Sequence, residues 1–192
     1  MDELDHVLEV FRRVETSPAD VDERLRRIED KAAVRELVLL YAYLCDAAAW
    51  DELLDHYTDD IERTLGGTLS EHVAGKEKLR ELYLEPVLPT AKGDSALGTN
   101  ALHSYRFRHL IIGTIVRIGE SGDEAWAAAR GQLVGVDKGT AGFRRGVHEA
   151  TWIFALRRED QRWKIAKLWV YSEGAHNPLF APQNVPAGTA EQ

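Results

Sequence analysis

The 192-residue sequence predicts an α+β fold in which a curved antiparallel sheet wraps around one long helix. Three observations carry that prediction. Apolar residues recur at helical spacing as far as about Tyr83. From Tyr105 the pattern changes to stretches rich in Ile, Val, Thr, Trp and Phe. The connections between those stretches are too short for a parallel return, so successive strands must pair as antiparallel hairpins.

Leu4, Val7, Leu8, Val10, Phe11 and Val14 line one side of a first helix, with Asp5, Glu9, Arg12 and Arg13 on the other. It is an N-terminal extension that can pack on its own domain or on a second copy. Ser17-Pro18-Ala19-Asp20 reads as a helix start, with a serine cap, proline at the first helical position and an acid in the first turn. Helix follows from Val21 to about Ile28 and from Asp30 to about Ala48. Val34, Leu37, Val38, Leu39, Leu40 and Leu44 leave that second stretch almost no polar face, which predicts a central helix buried on several sides. Trp50 to Leu54 restarts a short helix, Asp60 to Thr64 reads as a weak strand, and Lys76 to about Tyr83 is helical again. Pro86 and Pro89 end that helix, because proline lacks the amide donor.

Four long strands follow: Tyr105–Ile118, Glu124–Val136, Phe143–Arg157 and Trp163–Tyr171. Gly119–Gly122, Lys138–Thr140 and Glu159–Gln161 supply the turns. By alternation Trp163, Ile165, Trp169 and Tyr171 share one face of the last strand, and Ala166, Leu168 and Val170 the other. Both faces are apolar, so helices must cover one and something else the other. Gly113 and Gly135 predict bends or bulges in the curved sheet. The chain divides into an extension (1–16), one domain (17–174) and an irregular Pro-, Gly- and Ala-rich tail (175–192).

With 24 basic and 32 acidic side chains the formal charge is −8, which excludes the clustered basic footprint of a sequence-independent nucleic-acid binder. No window approaches the ~18–20 apolar residues needed to span a bilayer, so no membrane contact is expected. The acidic start Met1-Asp2-Glu3-Leu4-Asp5 does not read as a secretory signal, and a cytoplasmic location is expected. Cys45 is the single cysteine, so there is no internal disulfide and no thiolate-rich metal site. Neither of the glycine-rich phosphate-binding motifs is present, no metal-ligand cluster is evident, and no cofactor is expected.

Tyr41-Ala-Tyr-Leu-Cys-Asp46-Ala-Ala-Ala-Trp50-Asp51 resembles the first-helix signature of the SnoaL-like branch of the nuclear transport factor 2-like (cystatin-like) superfamily. Arg108-His109-Leu110-Ile111 resembles that family's strand-opening histidine, and Arg158 to Ile165 its closing hairpin. The resemblance spans roughly residues 25–172 and lies closest to scytalone dehydratase and bile-acid 7α-dehydratase type enzymes. It implies a cone-shaped α+β barrel, usually a homodimer, with a hydrophobic pocket between sheet and helices. In such enzymes a histidine moves a proton, a carboxylate orients it and tyrosines polarise an oxygen. The chain departs from both types, with Tyr43 where the scytalone type has an aspartate and Gly135 where the bile-acid type has an acid.

His109 lies in an apolar strand, where a neutral imidazole can accept a proton near neutral pH; the structural alternative is a satisfied core histidine. Asp46 can orient it as the carboxylate of a dyad, or be a surface or capping acid. Tyr41 can donate to a developing oxyanion, or be plain core. Five residues separate the two, about 140° on an ideal helix, so one shared pocket requires the helix to loosen near Asp46. His148, in the third long strand, is a further candidate for proton transfer. The candidate substrate-binding residues are Tyr43, Trp50, Phe107, Arg130, Trp152, Trp169 and Tyr171. The aromatic ones suit a ring-bearing ligand, and Arg130 a carboxylate or a surface ion pair. Alternation turns Arg106 and Arg108 away from His109, outside the site.

Together with these residues, the resemblance implies a cofactor-free lyase (a dehydratase or carbon–carbon lyase) or isomerase, acting on a hydrophobic, oxygenated, aromatic or polycyclic small molecule as a homodimer or higher homo-oligomer. A non-catalytic small-molecule binding or accessory protein of the same fold, and an oxygenase small subunit, stay open as alternatives.

Overall fold

A computed structural model describes residues 3–13, 15, 18, 20–66, 71–84, 105–137 and 144–172. Helix α1 (Glu3–Arg12) precedes α2 (Val21–Ala47) and α3 (Trp50–Asp55). Strands β1 (Tyr57–Gly66) and β2 (Glu71–Ala74), helix α4 (Lys76–Leu84), then β3 (Tyr105–Ile118), β4 (Glu124–Asp137), β5 (Arg144–Glu159) and β6 (Arg162–Ser172) complete the order. The strands form one six-stranded sheet in the order β2-β1-β6-β5-β4-β3. The predicted α+β class with a curved sheet around a long helix is what the structure shows. Among the described residues the sheet stays open, with β2 and β3 as edges, rather than closing as the resemblance implied.

The two helical segments expected before and after Glu29 are one helix of 27 residues, α2. Its cap is Asp20, whose side chain accepts from the Glu23 amide at 2.9 Å, and Pro18 lies outside the helix. Asp20 sits directly before Val21, so it can reach the third amide of the helix; the earlier Ser-Pro pair cannot. At the other end Ala48 takes a left-handed conformation (φ 54°) and its amide returns to Cys45 and Leu44 carbonyls.

One face of α2, including Val34, Leu37, Val38 and Tyr41, is buried on the sheet. Alanines at 125, 127 and 129 on the facing row of β4 are fully buried and keep that side of the sheet shallow, so the helix can settle onto it. The expectation of burial on several sides does not hold for the second stretch, where Leu39 and Tyr43 are exposed. Tyr43 follows Tyr41 by about 200° of helical turn, which carries it from core to solvent.

The pairing of β1 with β6 is parallel, and all other neighbours are antiparallel. Two bulges set the side-chain rows. On β3 the register shifts between Ile111 and Gly113, as the glycine suggested. On β6, Lys167 pairs with Ala155 and Ile165 with Leu156, leaving Ala166 as the extra residue. That single extra residue flips everything after it to the other face. Trp163 and Ile165 therefore stay in the main core with Leu168 and Val170, while Trp169 and Tyr171 turn to the opposite side. There, α1 covers them: Val7 and Leu8 are buried against Ile153, with Trp126, Trp169 and Tyr171 around them. The extension thus packs on its own sheet. Burying Val7 and Leu8 stabilises this contact by roughly 1.5–3 kcal/mol each.

At the closing hairpin Asp30 is 6 % exposed and its Oδ1 accepts from Arg158 and from the Trp163 indole N–H at 3.3 Å. The Arg158 guanidinium also stacks over the Trp163 ring, 4.3 Å from its centroid. An open cleft of about 390 Å³ beside this cluster runs between α2 and the hairpin, past His56, Arg162 and Lys164. The two hairpin-tip residues, Asp160 and Gln161, have φ of 47° and 65°. Glutamine has no local hydrogen bond to favour that conformation, so Gln161→Gly is expected to stabilise the protein by about 1 kcal/mol in a urea titration.

His56 is half-buried, and burial first, then Arg162 and Lys164, hold its imidazole below the ordinary histidine value, against Asp55. An unfolded chain then binds a proton at His56 before the folded one does. Stability from this group is complete above the ordinary histidine value and is lost as pH falls from there through the lower folded value. A His56→Gln variant should therefore show a flatter melting temperature between about pH 7 and pH 5 than the wild type.

Candidate active site

The residues that come together lie where the end of α2 meets the edge strand β3. His109 is near the start of β3, opposite Leu133 of β4, with no further strand on its outer side among the described residues. An edge strand leaves outward amides without ladder partners. The His109 amide finds Asp46 instead, donating to Oδ1 at 3.0 Å and Oδ2 at 3.1 Å. The same carboxylate lies 2.7 Å from the His109 ring Nδ1. Both side chains are largely buried, 11 % exposed for His109 and 15 % for Asp46.

A carboxylate accepting at Nδ1 fixes the imidazole tautomer with Nδ1–H towards Asp46, which makes Nε2 the basic nitrogen. The ring is packed by two aromatic neighbours. Tyr41 meets it edge-on at 6.0 Å between centroids, and Trp152 lies tilted at 5.5 Å. Helix α2 remains regular through Ala47, so no loosening brings Tyr41 and Asp46 together. Instead the imidazole spans both.

Tyr41 is 5 % exposed, and burial pushes its phenol well above the ordinary tyrosine value, so it stays a protonated donor. The Cys45 thiol lies beside its hydroxyl one turn on. Burial also pushes that thiol up to about 12, which keeps Cys45 a thiol and not a nucleophile. Arg63 of β1 lowers both values by its charge, so a guanidinium stands within electrostatic reach of Tyr41 on the helix-facing side of the sheet. Its register partner Leu168 belongs to the main core.

The other sequence-predicted residues are distributed as follows. Trp152 is 1 % exposed and forms the floor under His109. Trp50 stacks on Tyr83 of α4 at 4.8 Å, an arrangement that packs α3 against α4. Arg130 is exposed and pairs with Glu149 at 3.3 Å on the far face, as a surface ion pair. Tyr43 is 70 % exposed, and Trp169 and Tyr171 lie under α1, so none of these three is in the His109 group. The backbone of His148 is opposite Leu133, on the same row as His109 and two strand spacings (roughly 10 Å) away. The side chains of His148 and Phe107 lie outside the described residues.

Two residues were missed. Arg63 follows Ile61 and precedes Leu65 at the same alternation, and a charge on an otherwise apolar strand face was the available signal. Arg108 was placed away from the site. Its backbone does turn away, but β3 is an edge, and the side chain reaches the end of α2 where Nη1 donates to the Asp46 carbonyl at 3.1 Å. Among the described residues no group of three His, Cys, Asp or Glu side chains is arranged to hold a metal, and no helix is long and apolar enough to cross a membrane.

Comparison with solved structures finds the same fold repeatedly. A Novosphingobium aromaticivorans protein provisionally described as an aromatic ring hydroxylase is 25 % identical (TM-score 0.59), over 75 % of this chain and 89 % of its own. A type 2 hexachlorocyclohexane dehydrochlorinase (LinA) is 20 % identical (TM-score 0.59), over 84 % of this chain and 99 % of its own. A scytalone dehydratase-type protein from N. aromaticivorans is 13 % identical (TM-score 0.57), over 86 % and 98 %. Comparison with curated proteins gives no match. Residues 26–168 match the SnoaL-like domain, and the chain belongs to that family.

Proposed function

We propose that the protein is a cofactor-free lyase or isomerase, a dehydratase or carbon–carbon lyase first, acting on a hydrophobic, oxygenated small molecule with an aromatic or polycyclic skeleton. The observation that carries this reading is the 2.7 Å contact between the His109 Nδ1 and an Asp46 carboxylate that also holds the His109 amide. In a dehydration, His109 Nε2 takes a proton from carbon and the C–H electron pair becomes the new double bond. The adjacent C–O bond breaks, and the imidazolium returns its proton to the leaving hydroxide as water. Tyr41, kept as a phenol by burial, donates to the oxygen on which charge develops, and the Arg63 charge favours the same anion. Trp152 and Tyr41 around the imidazole suit a flat, apolar substrate. The scytalone dehydratase-type protein and the dehydrochlorinase among the structural neighbours support an elimination on this fold, without transferring a substrate.

The test is a thermal-shift screen of aromatic diols, hydroxysteroids and polyketide-like phenols on wild type and His109→Ala. A ligand at about 100 times its dissociation constant adds roughly 2.7 kcal/mol of stability. Conversion by wild type and not by His109→Ala supports the reading. Equal binding to both with no conversion makes this a binding protein instead. We also propose a homodimer or higher homo-oligomer, because Leu110, Ile112 and Ile115 leave β3 with an exposed apolar side. Light scattering reads this directly, and a monomer at tens of micromolar overturns it.

A further inference from the structure

Asp46 stands in the last turn of a 27-residue helix that carries no basic residue in that turn. The negative end of a helix dipole is an unfavourable place for a carboxylate, and the last carbonyls there have no partner within the helix. Both problems are met from β3. Arg108 Nη1 donates to the Asp46 carbonyl at 3.1 Å and lies 4.0 Å from Asp46 Oδ2. The adjacent residue, His109, supplies the amide and the ring nitrogen. Two consecutive residues of an edge strand thus grip a single residue of the helix, one by its backbone and the other by its carboxylate.

We propose that Arg108 is a positioning residue for the His109–Asp46 pair, supplying the cation that α2 lacks and fixing the helix end at the distance the pair requires. This rests on the reading of that pair as the working base. The groups facing the pair from the packed elements are Tyr41 of α2, Trp152 of β5, Leu133 of β4 and Arg108 itself, so Arg108 is the cation in direct contact among the described residues. Its guanidinium is 58 % exposed, so its effect is moderate and screened by salt.

The experiment uses the full chain with Arg108→Ala, Arg108→Gln and Arg108→Lys. The first readout needs no substrate: the exchange rate of the His109 Nδ1 proton, followed by NMR. Alanine and glutamine are expected to speed that exchange at least tenfold, and lysine, which keeps the charge, to restore most of the protection. On any substrate found by the screen, kcat should fall about tenfold in Arg108→Ala, with KM within twofold and recovery in Arg108→Lys. A protected Nδ1 proton in Arg108→Gln overturns the proposal, as does a lysine variant no better than glutamine. If alanine fails to fold, the Gln/Lys contrast decides alone. Retained turnover in His109→Ala would instead defeat the catalytic reading, while the proton-exchange result still judges Arg108.

Discussion

Asp46→Asn is expected to lower turnover by a factor of about 10² to 10⁴, the range associated with a positioned general base. Asparagine keeps the shape and can still accept from the His109 amide, so the fold survives. What changes is the ring. The carboxylate accepts from Nδ1–H at 2.7 Å; an amide in its place can present its NH₂ to Nδ1 and draw the imidazole into the other tautomer. The basic nitrogen then faces the helix rather than a substrate. Nitrogen chemical shifts of the His109 ring, before and after the substitution, would report the switch directly. An unchanged tautomer together with unchanged turnover would remove Asp46 from the mechanism. The charged acceptor also holds the edge strand, so a stability loss of about 1–2 kcal/mol is expected alongside.

Gly131→Ala is expected to be the most destabilising single-methyl change near the site. Gly131 pairs with Ile111 just before the β3 bulge, and a β-carbon there would come within 2.0 Å of the Leu110 carbonyl oxygen. The obstacle is backbone, so β3 itself must move. A loss of about 2–3 kcal/mol is expected, equivalent to a fall of roughly 5–10 °C in melting temperature. Because Leu110 adjoins His109, the displacement should also lengthen the contact to Asp46 and lower turnover. Gly113→Ala is the matched control. Nothing lies within 4 Å of its added methyl, so its melting temperature should stay within a degree or two of wild type. Equal effects at the two positions would show that the close approach at Gly131 is not what limits substitution.

The α2 helix and the four long strands were legible because each repeats its apolar spacing over ten residues or more. Strand β2 was not, being four residues long, and the parallel β1–β6 pairing joins segments about a hundred residues apart in sequence. The misplacement of Trp169 and Tyr171 has one cause. An extra residue at position 166 leaves no mark in composition, yet it inverts every side chain beyond it. Tyr43 enters as the position where the scytalone type has an aspartate, although helical geometry turns it outward from Tyr41. Asp46 and His109 are 63 positions apart, so their pairing entered through the family resemblance and not through any local pattern. The contribution of Arg108 depends on β3 being the last strand, which only the assembled sheet order reveals.

The outward amide of His109 has a meaning for solubility. Strand β3 is long, terminal in its sheet among the described residues, and carries exposed Leu110, Ile112 and Ile115, the profile of a strand that recruits another chain by adding to its edge. The bulge after Ile111 interrupts one part of that template, and the Asp46 carboxylate occupies the donor at His109 in another. A single acid therefore covers that part of the edge as well as partnering the imidazole. Variants that remove it altogether, such as Asp46→Ala, would lose soluble yield along with any activity, and the two losses would share one physical origin.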